Sequence, residues 1–169
     1  RYTSPFTGED WSPLDAIAQL FDWRRLIDAN RRIDAVYGVA RWKRVTLDTM
    51  LWNGSSPVRH ARGFRPASGI GQHHVAWKSR TSPKLLARLA ERRVRLSELE
   101  DCFIRSVGLG ANCVPPLSAI VDLTGIYFDP SQQSDLETIL QTDNFDQKLS
   151  RRAAALKSRL VDANISKYG

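Results

Sequence analysis

Cysteine is scarce in these 169 residues, and the two present, Cys102 and Cys113, match no metal-ligand spacing. They suggest no disulfide framework, which points to a reducing, cytoplasmic setting. No apolar run approaches the ~20 residues that a bilayer-spanning helix needs, and no secretory leader is recognisable. The chain opens on Arg1 rather than Met and reads as a piece excised from a longer protein. Three sequence signatures of common enzyme classes are also missing. There is no GxxxxGK[ST] loop, no GxGxxG opening a helix after a strand, and no GxSxG elbow, which sets aside P-loop, dinucleotide-binding and serine-hydrolase chemistry. Gly108-Leu109-Gly110 is too short to count. His73 and His74 adjoin, and adjacent residues of a strand face opposite ways, so no shared metal is expected.

Acids are unevenly spread along the chain. Residues 101–146 hold seven (Asp101, Asp122, Asp129, Asp135, Glu137, Asp143, Asp146) against Arg105, a net −6. With +7 overall, the remainder carries +13. Such asymmetry suits an anionic surface, an acidic or phosphorylated sugar, or nucleic acid, and equally a merely solvated basic face. No basic stripe interleaved with aromatics and no recognition helix accompanies it, so nucleic acid is not an expected partner.

What is present reads as one domain over residues 1–169, with 42% hydrophobic content and an extended lead-in at 1–12. Ser12-Pro13 and Ser82-Pro83 each offer a capping hydroxyl before a proline whose missing N–H is harmless in a first helical turn. They predict helices to about Asn30, carrying Leu14, Ile17, Leu20 and Phe21 on one face, and to about Arg93. Thr46 is expected to cap a helix with Leu47, Met50 and Leu51. Short apolar runs at 35–40, 75–77 and 94–99 read as buried strands, with a weaker candidate at 58–62. Arg65, Pro66, Gly69 and Gly71 mark a loop. Strand–helix, strand–helix, strand implies an α/β fold with a parallel sheet flanked by helices. Residues 117–123 and 125–128 suggest a β-hairpin turning at Thr124-Gly125. A short helix at 135–140 follows, then a C-terminal amphipathic helix at 145–163 with Leu149, Ala153, Leu156 and Leu160 inward.

The chemistry gathers at the end of the third strand, where Glu100 and Asp101 are followed by Arg105 and Ser106. Carboxylates at the end of a buried strand are costly unless paired or used, and open α/β sheets place their sites beyond strand ends. Alternation sends one carboxylate to the cleft and leaves the other in support. A carboxylate there can act as nucleophile or as acid/base in glycosyl chemistry, while Arg105 can bind a carboxylate bidentately. A helix cap with a surface ion pair explains the same spacing equally well. Arg41, Trp42 and Lys43, two cations around an indole at another strand end, can hold a phosphate or carboxylate, or form an exposed basic turn. Cys102, a thiol beside a carboxylate, is a poor thiolate nucleophile.

The wording is more specific than the spacing. Glu100-Asp101-x-Phe103-Ile104-Arg105-Ser106-Val107-Gly108-Leu109-Gly110 is followed by Pro115-Pro116-Leu117-Ser118. Then come Asp122-x-x-Gly125-Ile126-Tyr127-Phe128-Asp129 and Pro130-Ser131-x-x-Ser134-Asp135-Leu136-Glu137. With Pro5-Phe6-Thr7-Gly8, the run Tyr37 to Arg44, Val75-Ala76-Trp77-Lys78-Ser79-Arg80 and Ser166-Lys167-Tyr168, these closely resemble the bacterial capsule-assembly β-Kdo transferases, in order and over nearly the whole chain. The resemblance implies one Rossmann-like lobe, the acceptor-side half, of a two-lobed GT-B glycosyltransferase acting in capsular polysaccharide biosynthesis and transport. Such an enzyme moves Kdo from CMP-Kdo to a phospholipid-linked Kdo acceptor with retention, by double displacement through a carboxylate. It implies Asp101 as nucleophile with Glu100 in support, Arg105, Ser106 and Ser118 at the sugar site, and Arg41, Trp42 and Lys43 on the acceptor side. It implies no metal or cofactor beyond the donor, whose nucleotide is bound by motifs downstream of this chain, so the piece alone is expected to fold without turning over CMP-Kdo. Partners implied are the inner-membrane surface, to which the protein would be peripheral on the cytoplasmic side, and the export machinery. Cys102 departs from the family's glycine and is expected to crowd the turn after the strand. The other reading of the same lobe is a non-catalytic sugar- or lipid-binding part of the export complex.

Overall fold

A computed structural model of the chain describes residues 1–64, 73–142 and 144–169. The loop expected around Arg65, Pro66, Gly69 and Gly71 lies outside these, as does Asp143. Two short strands, β1 (Tyr2–Thr3) and β2 (Asp10–Trp11), pair antiparallel ahead of α1 (Pro13–Asn30). As the sequence predicts, Ser12 caps α1, and the Asp15 carboxylate returns the bond to the Ser12 N–H in a full capping box. Next come β3 (Ile33–Tyr37), α2 (Arg44–Met50), β4 (His73–Ala76), α3 (Pro83–Glu91), β5 (Arg95–Asp101), β6 (Ala119–Asp122), α4 (Asp135–Thr142) and α5 (Gln147–Asp162).

The main sheet has the order β3-β4-β5-β6. β3, β4 and β5 run parallel, joined by α2 and α3, while β6 returns antiparallel on β5. The sheet is therefore the expected flanked α/β layer with one antiparallel edge. Strand alternation gives it two cores. On one side Val36, Val75 and Leu99 meet Leu47 and Leu51 around α2. On the other, Ala35, Tyr37 and Ala76 meet Leu89 of α3. All three parallel strands end at the same edge, which is where the polar loops gather.

Several local expectations change in three dimensions. The antiparallel partner of β6 is β5, reached through the long loop at 102–118, and residues 125–128 belong to no strand, with a turn at Tyr127 and Phe128. The reason is Asp122: its carboxylate accepts the N–H groups of Thr124, Gly125 and Asp135, which closes the chain into a tight loop where a second strand would need extended backbone. Residues 58–62 make only a bridge, Val36 to His60, with Val36 N–H on the Arg59 carbonyl at 2.9 Å and Ala61 N–H on the Val36 carbonyl at 2.9 Å. α2 begins at Arg44 without a side-chain cap, and the Thr46 hydroxyl donates back to the Lys43 carbonyl instead. The apolar stripe of α1 is open: Leu14, Ile17, Leu20 and Phe21 are all at least 60% exposed. On α5, Leu149, Ala153 and Leu156 are likewise exposed and Leu160 alone of the four is half-buried. Periodicity marks an apolar face but not what covers it, and among the described residues nothing covers these two.

Candidate active site

β5 carries Ser97 and Leu99 towards the α2 side, and Asp101 follows with the same parity. There its carboxylate meets two cations. Lys43 Nζ lies 3.2 Å from each carboxylate oxygen, and Arg105 Nε donates to Oδ2 at 2.8 Å. Both cations are nearly enclosed, with side chains 6% and 2% exposed, whereas Asp101 keeps 22%. The carboxylate is thus the reachable member of a group whose counter-charges are buried. Aromatic faces complete the enclosure: Lys43 Nζ sits 3.3 Å from the Trp77 ring centroid, and Trp42 lies 5.3 Å from Lys43 and 5.7 Å from the Arg105 guanidinium. Burial pulls the Lys43 pKa below its ordinary value, with the Asp101 charge and hydrogen bond opposing that fall.

Arg105 is held from three sides. Nη1 donates to the Ser106 hydroxyl, which in turn donates to the Gly108 carbonyl at 2.8 Å. Nη2 is buried without a partner among the described residues. Gly110 closes over it: a Cβ there would stand 2.8 Å from Nη2, so the second glycine of Gly108-Leu109-Gly110 makes room for the guanidinium. The loop is stapled by the end of the chain, with Arg105 N–H on the Lys167 carbonyl at 2.8 Å and Gly108 N–H on that of Tyr168 at 2.8 Å. The Tyr127 hydroxyl donates to the Asp101 carbonyl at 3.2 Å.

Among the residues singled out from sequence, the structure gathers Asp101, Lys43, Trp42, Arg105 and Ser106 into one cluster. Glu100 projects to the opposite side of the sheet, with Leu96 and Glu98. Desolvation pushes its pKa up, the Asp101 N–H offsets this in part, and the Asp101 charge adds to the rise. Ser118 is half-buried, and its hydroxyl donates to the Ile104 carbonyl, fixing the loop. Arg41 faces a separate cavity beside α2. Cys102 does not have a positive φ, and its N–H reaches the Ser118 carbonyl at 3.4 Å, so this turn does not demand glycine. Trp77, Gly110, Tyr127 and the Lys167 carbonyl were not anticipated as site residues. A Trp-Lys pair recurs after a short apolar run in Val39-Ala40-Arg41-Trp42-Lys43 and Val75-Ala76-Trp77-Lys78, and that repeat is the sequence signal linking Trp77 to Trp42.

His73 and His74 do point apart. His73 Nε2 lies 2.6 Å from the Ser97 hydroxyl, and His74 Nδ1 lies 2.9 Å from the Tyr37 hydroxyl. Burial lowers the pKa of both.

A parallel α/β layer thus delivers an ion-paired but reachable carboxylate from a strand end into a glycine-containing loop. The model of the capsule polysaccharide biosynthesis proteins matches residues 73–168, and the chain belongs to that family. It is 35% identical over 173 residues to the capsule polysaccharide modification protein LipA of Neisseria meningitidis serogroup A, covering 99% of this chain and 24% of that protein. It is 48% identical over 79 residues to the lipopolysaccharide-processing protein LpsZ of Rhizobium meliloti, covering 44% of this chain and 18% of that one. The chain thus spans about a quarter or less of the length of these relatives. Among solved structures it is similar to the β-Kdo 2,4 transferase of Thermosulfurimonas dismutans KpsC, with a TM-score of 0.60 and 31% identity, over 80% of this chain and 41% of that one. The β-Kdo 2,7 transferase of the same KpsC gives 0.50 and 25%, over 76% and 42%.

Proposed function

We propose that the chain is the acceptor-side lobe of a retaining β-Kdo transferase of GT-B type, working in capsule polysaccharide biosynthesis with CMP-Kdo as donor. The observation that carries this reading is the Asp101 carboxylate, reachable at the end of β5 between buried Lys43 and Arg105. In the first step an Asp101 oxygen bonds to the anomeric carbon of Kdo as the bond from that carbon to the CMP phosphate breaks, and CMP leaves with the electron pair. In the second, an acceptor hydroxyl bonds to the same carbon as the bond to Asp101 breaks, the carboxylate is regenerated and the hydroxyl proton passes to water, and two inversions give net retention. Lys43 and Arg105 hold Asp101 in place, and Ser106 and Gly110 hold Arg105. Glu100, on the other side of the strand, supports the strand end.

The donor nucleotide is assigned to a second lobe, so this 169-residue chain by itself is expected to leave CMP-Kdo intact. The acceptor is a phospholipid-linked Kdo. The protein works at the cytoplasmic side of the inner membrane beside the export machinery. The test is CMP release and Kdo transfer by the two-lobed polypeptide. Asp101→Asn is expected to abolish both. Undiminished transfer in that variant would leave a sugar- or lipid-binding role for the lobe.

A further inference from the structure

Besides Asp101, the sheet's C-terminal edge carries a cavity of about 450 Å³ beyond the end of β3, lined by the turn 38–41, Arg44 of α2, residues 60–62 and the start of α3. Among the described residues four arginines line it, Arg41, Arg44, Arg62 and Arg80, and no acid does. Among the described residues none of the four makes a side-chain hydrogen bond or ion pair, and Arg44 Nε is buried without a partner. His60 also lines the cavity. Its side chain is 10% exposed, Nε2 lies 2.5 Å from Asp48 and, among the described residues, Nδ1 has no partner. Gly38 lets the turn press so close to the Trp77 carbonyl and Thr81 hydroxyl that a Cβ would stand 2.5 and 2.6 Å from them, which fixes the mouth in shape.

We infer that this cavity binds a phosphoryl group. Four arginines without an acid partner along one concavity make it favourable for an oxyanion, and planar guanidinium forks match phosphate oxygens two at a time. The space exceeds a bare ion, so the phosphate can carry a substituent of glycerol or sugar size. The inference rests on the transferase reading only for the carrier of that phosphate, which would be the acceptor. The cavity stands apart from Asp101, so phosphate binding is readable without donor or turnover.

The test is calorimetric titration of the full chain, at fixed ionic strength, with inorganic phosphate, glycerol 3-phosphate and acetate. Saturable phosphate binding is expected, weakened at least tenfold by Arg62→Gln with Arg80→Gln and unchanged by Arg24→Gln. Both varied arginines are exposed, and a circular dichroism spectrum checks that the variant folds; Arg80→Gln alone serves if the double variant does not. Tighter binding of glycerol 3-phosphate would identify a phosphate-ester headgroup as the source, and equal binding free phosphate. Absence of saturable binding, displacement by acetate as effective as by phosphate, or a folded Arg62→Gln/Arg80→Gln variant that binds normally would overturn the inference. Failure here leaves the transferase reading intact, whereas normal phosphate binding with no Kdo transfer by the two-lobed protein would remove that reading alone.

Discussion

At the scale of single residues, the most consequential positions are those where a backbone or a charge has one solution. Asp122 is 1% exposed and accepts three backbone N–H groups. Burial alone would raise its pKa, but the N–H groups of Gly125, Thr124 and Asp135 together hold it below the ordinary value. Its contribution is full above pH ~4 and is lost as pH falls through the depressed value. Asp122→Ala should cost about 2–4 kcal/mol by urea unfolding at pH 7, because it leaves buried donors unpaired. Gly110→Ala should act differently. Its Cβ would press on Arg105 Nη2, so unfolding should shift little while transfer by the two-lobed protein falls at least tenfold. Glu100 shows the opposite linkage to Asp122. Its raised pKa means stability is fullest below the ordinary Glu value and declines as pH rises through the folded one. Glu100→Gln should therefore raise the melting temperature at pH 7, with the gain shrinking towards pH 4.

At the scale of elements, how much could be read in advance depended on whether the cause was local. The starts of α1 and α3 were legible because a capping hydroxyl and a proline act within one turn. So was the parallel run β3, β4, β5, from apolar segments separated by helical ones. The place of β6 was not: Ile126 is fully buried without belonging to a strand, and an apolar run in a loop core looks like a strand in sequence. At the site, neighbours in sequence such as Arg105 and Ser106 were visible, whereas Trp77 and Lys167 come from distant segments and only the fold brings them to Asp101. His74 gives this scale its prediction. It joins β4 to β3 through Tyr37, and burial lowers its pKa. Stability should be full above pH ~6.5 and fall as the solution is acidified towards the depressed folded value, since the unfolded chain takes up the proton first. His74→Gln should flatten that slope in melting curves between pH 7 and 5.

For the whole molecule, the contrast between its centre and its outer helices decides what substitutions do. The two cores around Leu89 and Leu99 are fully enclosed, while Leu14 and Ile17 of α1 and Leu156 of α5 are 76%, 61% and 57% exposed. Hydrophobic stabilisation follows area removed from water, so an apolar side chain that stays wet contributes little to folding of the chain alone. Leu89→Ala or Leu99→Ala should therefore cost ~2–5 kcal/mol in urea unfolding, the transfer and cavity contributions together. Leu156→Gln and Ile17→Gln should stay within about 0.5 kcal/mol, as surface substitutions do. A cost for Leu156→Gln as large as that for Leu99→Ala would show α5 docked on an apolar surface in solution. The same pair measured within the two-lobed protein reads the remaining possibility directly: if the exposed stripes are covered there, Leu156→Gln and Ile17→Gln become costly in that context and neutral only in the isolated chain.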